Sequence, residues 1–146
     1  MKSFKSIHAA YLATDGFLAR SELASTGAAR ARWTNLRSHN DQAYYVMLFA
    51  QLEQFVDVQC RKLIDTKRNS KVWKNRRLWD STDPDRLQFM RKVALLTRKG
   101  AATYNKIDQY YDVRCDIAHG TTLAAGAIVV PVAVLDFRQF ARELRQ

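Results

Sequence analysis

Two prolines and five glycines in 146 residues leave this chain few places to bend or stop. A sandwich or barrel needs turn signals about every 8–12 positions, and long stretches here carry none, so the chain is directed toward long helices. The expected fold is all-α: a small bundle of about four to five helices, forming one domain over residues 1–146. One short extended segment is expected near residues 127–134. The length suffices to bury a core without disulfide or metal staples, and the 47% apolar and 26% charged fractions are those of a soluble globular chain.

Apolar spacing sets the expected elements. Residues 3–33 read as helix with Phe4, Ile7, Tyr11 and Leu18 near one face, open to interruption at Gly16 and Gly27. Ser38-His39-Asn40-Asp41 is a polar cluster suited to capping a new helix. After it Tyr45, Leu48, Leu52, Phe55, Val56, Gln59, Leu63 and Ile64 keep a three-four spacing to Lys67. That spine would be roughly 40 Å long at 1.5 Å per residue. Arg68–Ser81 has no apolar period and reads as a basic loop.

Asp83-Pro84 then supplies a cap and first-turn proline for a helix that turns Leu87, Met90, Ala94 and Thr97 to the core and stops near Lys99-Gly100. A fourth helix spans Thr103–His119, closed by Gly120. The β-branched run 127–134 reads as extended, and Asp136 as the cap of a last helix, Phe137–Arg145, with Phe140 and Leu144 inward.

Cys60 and Cys115 lack the spacing of a zinc site or a disulfide framework, so no metal and no cofactor is expected, and the default setting is a reduced cytoplasm. The basic start at Met1–His8 lacks the apolar stretch of a signal peptide. Leu123–Leu135, the longest mostly apolar run, is too short to span a bilayer and contains Pro131. No membrane partner is expected.

The net charge of +10 is concentrated between Arg61 and Lys99, where 13 Lys/Arg meet 4 Asp. A basic band on an otherwise near-neutral chain points to a polyanion, most commonly nucleic acid. Lys71, Lys74, Arg76 and Arg77 are placed to contact phosphates, with Trp73 or Trp79 stacking on bases. The same residues would also suit a solvated loop with its tryptophans in the core.

Tyr110-Tyr111-Asp112-Val113-Arg114-Cys115-Asp116-Ile117-Ala118-His119-Gly120 carries the candidate chemistry. Arginine binds phosphate, and histidine moves protons near neutral pH. Spacing alone means little, since Arg32 and His39 also satisfy a loose Arg-x6-His rule. Placement distinguishes Arg114 and His119. Arg114 lies on the helix side of Ile107 and Tyr111, where burial demands a partner, and Glu53 in the spine is the best candidate. His119 falls in the last turn, where it serves equally as a cap or as an acid–base group.

This segment resembles the HEPN superfamily, whose defining element is Arg-x4–6-His near the end of a helix in a small α-helical bundle, and its Ala118-His119-Gly120 finish resembles one form of that motif. The resemblance implies a homodimer with a shared cleft and a metal-independent endoribonuclease, a toxin or defence effector acting on RNA with an antitoxin or other regulatory protein as partner. It implies catalytic roles for Arg114 and His119. The position after the arginine, most typically Asn in the family, is Cys115 here, leaving Asp116 or Glu53 to orient the pair. A non-catalytic RNA- or partner-binding domain is the alternative, and a purely structural helical dimer a third reading.

Overall fold

A computed structural model of the chain describes residues 1, 3–121, 123–124 and 126–145. Among the described residues the architecture is all-helical, with six α-helices and no strand: α1 (Phe4–Leu23), α2 (Gly27–Arg68), α3 (Trp73–Asp80), α4 (Phe89–Leu96), α5 (Ala102–Ala118) and α6 (Val130–Glu143). None of them is long and apolar enough to cross a membrane.

The spine, α2, is longer than its apolar period suggests. Its 42 residues reach about 63 Å at 1.5 Å per residue. Ser38–Asp41 do not cap a new helix: α2 runs through them, and Asp41 with its neighbours Arg37 and Tyr44 faces α1. Arg37 grips Asp15 through Nε at 2.5 Å and Nη2 at 3.1 Å, the Tyr11 hydroxyl donates to Asp41 at 3.1 Å, and Thr14 and Tyr44 hydroxyls lie 3.3 Å apart. With Thr34 donating to Glu22, these contacts run antiparallel along the two helices. The only break between them is Ala24–Thr26; Gly16 stays within α1.

The core sits where the middle of α2 meets α4, α5 and α6. Tyr45, Leu48, Phe49, Leu52 and Val56 contribute from α2, Val93 and Leu96 from α4, Ile107 from α5. From α6, Phe137 is fully buried and lies 5.6 Å from Phe49 and 5.2 Å from Tyr110, both edge to face. Such rings combine a large buried area with favourable quadrupole geometry.

Three expected boundaries are corrected. The extended segment near residues 127–134 is helical from Val130 onward. Pro131 occupies the first turn of α6, where its missing N–H is no loss, and Val130, Ala133, Val134, Phe137, Phe140, Ala141 and Leu144 form a single helical stripe of buried positions. Period outweighs β-branched composition here. Asp136 accordingly lies inside α6 rather than capping it, buried and accepting bonds from Lys106 Nζ at 2.8 Å and from the Tyr110 hydroxyl.

The basic loop contains a helix, α3, with no buried residue. Lacking an apolar stripe, it is held by its flanks. Arg68 at the end of α2 donates through Nε to the Trp79 carbonyl at 3.0 Å and through Nη2 to the Thr82 carbonyl at 2.6 Å. Asp83 accepts from the Asp85 N–H at 2.9 Å and starts only a 3₁₀ turn, Pro84–Arg86. The α-helix begins at Phe89, so Val93 and Leu96 are the residues buried, while Ala94 is exposed.

Candidate functional site

Helix α5 starts and ends within one residue of the expected Thr103–His119 limits. Its end is closed by two backbone bonds: Gly120 N–H to the Ile117 carbonyl at 3.0 Å and Thr121 N–H to the Asp116 carbonyl at 2.9 Å. This is the paired pattern of a Schellman cap, and it requires the left-handed φ of +77° that Gly120 adopts. His119 is therefore held at the C-cap, its own N–H bonded to the Cys115 carbonyl at 2.9 Å.

Arg114 is fixed from the other side. Its Nε lies 3.4 Å from Glu53 Oε1, with one third of the arginine side chain and 27% of the glutamate exposed. The register follows from the core: Tyr45 donates to the Tyr110 carbonyl at 2.6 Å, Phe49 contacts Tyr111 at 6.2 Å, and Glu53 meets Arg114. Each step of about four residues along α2 is matched by an advance along α5. Burial pushes the Glu53 carboxyl above its usual range, and the Arg114 charge works against that push. Burial, followed by its neighbour Cys115, likewise raises the Tyr111 phenol.

The chemistry of this arrangement lies in what remains free. A guanidinium has five N–H donors. Glu53 comes nearest at Nε, and the Nη groups of Arg114 make no hydrogen bond among the described residues, so they can meet two oxygens of a tetrahedral phosphate. The His119 imidazole is exposed and makes no hydrogen bond or ion pair among the described residues. From the ideal helix, the two positions stand about 140° apart around the axis and about 7.5 Å along it. The structure thus joins Arg114 to Glu53 but not to His119. Asp116 is exposed, and its side chain makes no hydrogen bond or ion pair with either residue among the described residues. Cys115 is half-buried beside Tyr111, one helical turn earlier in α5, a contact that the four-residue spacing makes visible in the sequence. The decoy pair Arg32 and His39 lies within α2 on exposed positions, with His39 Nδ1 2.7 Å from the Asn35 carbonyl oxygen.

The nucleic-acid candidates cluster on and beside α3. Lys71, Trp73, Lys74 and Arg77 are exposed, and Arg76 is half-buried and paired with Asp80 at 3.5 Å. Trp73 is 58% exposed, so it is no core tryptophan. The other acids of the band are also taken: Asp65 by Arg68 at 4.0 Å, Asp83 by Arg86 at 3.3 Å and Asp85 by Arg61. The cations of Lys71, Lys74 and Arg77 are left without an ion pair among the described residues. Comparison of the chain with models of protein families, with curated proteins and with solved structures finds no match.

Proposed function

We propose that the chain is a HEPN-like endoribonuclease that cuts RNA with Arg114 and His119 and without a metal ion. The observation that carries this reading is a guanidinium paired with Glu53 at Nε, its Nη donors without a hydrogen bond among the described residues, five positions before an exposed imidazole at a capped helix end. In the reaction, Arg114 receives the phosphate and stabilises the charge that builds on its oxygens. His119 takes the proton from the RNA 2′-hydroxyl as that oxygen attacks phosphorus. The bond from phosphorus to the 5′-oxygen breaks, a proton returns to that oxygen, and a 2′,3′-cyclic phosphate end remains.

A homodimer belongs to the proposal. Side chains about 140° apart on one helix border a cleft more readily when a second copy supplies the facing wall. Light scattering on the purified chain tests this, with a dimeric mass expected. A toxin or defence effector, restrained by an antitoxin or another regulatory protein in the cytoplasm, is the setting that suits such an activity.

The test is incubation with RNA in excess EDTA. Cleavage that yields cyclic phosphate ends and falls at least about 100-fold in His119→Ala, at the lower limit for losing an acid–base group, supports the reading. Absence of cleavage, or cleavage indifferent to His119→Ala, removes it. The unpaired cations of α3 favour a second reading, a non-catalytic RNA-binding domain, which predicts binding that survives His119→Ala with no cut product.

A further inference from the structure

We infer that the outer face of α3 is an anchor for single-stranded nucleic acid, separate from the Arg114 site, with Trp73 stacking on an unpaired base and Lys74 and Arg77 on the flanking phosphates. The inference deepens the RNA reading above by naming the form of nucleic acid recognised, and its binding test does not depend on whether the chain cuts.

The geometry is local to this helix. Trp73 and Arg77 are four residues apart, and the Arg77 guanidinium carbon lies 5.1 Å from the indole centroid. That cation covers one indole face of the exposed ring, and no other ring stacks on it among the described residues. An aromatic face beside unpaired cations is the combination that binds single strands, because every base has a π-face while a duplex keeps its bases stacked on one another.

An anionic lipid surface is the competing occupant, since Trp73, Leu78 and Val72 are all exposed. The helix does not collect them on one side. Trp73 and Leu78 are about 140° apart, and Arg77 and Lys74 fall between them on the helical wheel. Burying both apolar groups in a bilayer would bury both cations, the opposite of the segregated faces of an interfacial helix.

Placement links the anchor to the Arg114 site. Arg68, which bonds to the backbone at Trp79 and Thr82, follows Glu53 by about 22 Å along α2 and about 60° around it. The C-terminal end of α3 is thereby tied to the spine about four turns beyond Glu53.

Titration of the full chain with labelled dT20 tests the anchor, because DNA lacks the 2′-hydroxyl that the proposed cleavage uses. Trp73→Ala is expected to weaken binding about 10-fold, within the range for losing one stacked base, and Trp73→Phe to stay within about 3-fold because a ring is kept. Lys74→Gln with Arg77→Gln should lower the slope of log affinity against log salt by about 1.4, at ~0.7 per phosphate contact on a single strand. A matched duplex should bind more weakly and ignore Trp73→Ala. Unchanged dT20 binding in both Trp73→Ala and the double variant overturns the proposal, as does binding to phosphatidylserine vesicles without binding to dT20. If the dT20 results hold while RNA is never cut, the anchor stands and the ribonuclease reading falls.

Discussion

Helices α5 and α3 both carry arginines on a strongly basic chain, yet they are built in opposite ways. Along α5, Ile107 is fully buried, Tyr110 and Tyr111 pack against the aromatic core, and Arg114 meets a carboxylate. Along α3 no residue is buried, and Lys74 and Arg77 are exposed without an ion pair among the described residues. A phosphate-orienting arginine needs a defined position, which the core and Glu53 supply to Arg114. A backbone-contacting surface needs charge that is not already neutralised, and α3 supplies that. Under the proposed function, α5 would position a phosphate-binding arginine and α3 would hold the strand.

The most severe way to break the comparison is to remove what holds α5. Phe137→Ala should cost about 3–5 kcal/mol, as expected for deleting a fully buried ring, and should loosen the Arg114 site together with the whole bundle. Urea unfolding measures it; a loss below about 1 kcal/mol would mean that α6 does not set the position of α5.

A smaller and more local change is Gly120→Ala, which places a Cβ on a backbone at φ +77° where there is steric room but unfavourable torsion. The cost should be about 1–2 kcal/mol, and His119 should lose its fixed C-cap position, so RNA cleavage should fall while dT20 binding at α3 stays unchanged. Equal losses in both assays would show that the helix end and α3 are not independent.

The pH dependence of stability tests the stretch of α2 between the two regions. Burial alone would raise the Asp57 carboxyl, but hydrogen bonds from Arg61 and Lys92, with their charges, outweigh it and hold the group below its usual range. A carboxylate with a depressed folded pKa contributes stability above its unfolded pKa of about 3.9 and loses it as pH falls through the folded value. Asp57→Asn should therefore cost about 1 kcal/mol at pH 7, with the difference shrinking below about pH 4. A pH-independent difference would contradict the ion-pair account.

The mildest prediction concerns α3 itself. Lys74→Gln with Arg77→Gln should change stability by less than about 0.5 kcal/mol, as for exposed positions, even though nucleic-acid binding drops. A large stability loss would mean that these cations hold the fold rather than a ligand.

Much of α5 could be read from the chain because its constraints are local: the apolar spacing of Ile107, Tyr110 and Tyr111, then Gly120 as a stop. Glu53 was legible for a related reason, as a carboxylate in the middle of an apolar spine where a buried arginine would need one. The failures occurred where tertiary contact redirected local chemistry. Ser38–Asp41 resemble a cap until Tyr11 claims Asp41 while Thr14 and Asp15 bond the flanking Tyr44 and Arg37, and Asp136 resembles a cap until Lys106 and Tyr110 claim it. Helix α3 was missed because nothing in it is buried, so no apolar period marks it. Which cations of the basic band stay unpaired was likewise invisible, since the pairing of Asp85 with Arg61 spans a turn that only the folded chain closes.

One side-by-side measurement tests the division most directly: wild type, His119→Ala and Trp73→Ala assayed for cleavage and binding on the same 20-nucleotide RNA in EDTA. The account predicts that His119→Ala binds like wild type and does not cut, and that Trp73→Ala cuts with a raised KM and weakened binding. Cleavage by His119→Ala at the wild-type rate would contradict it.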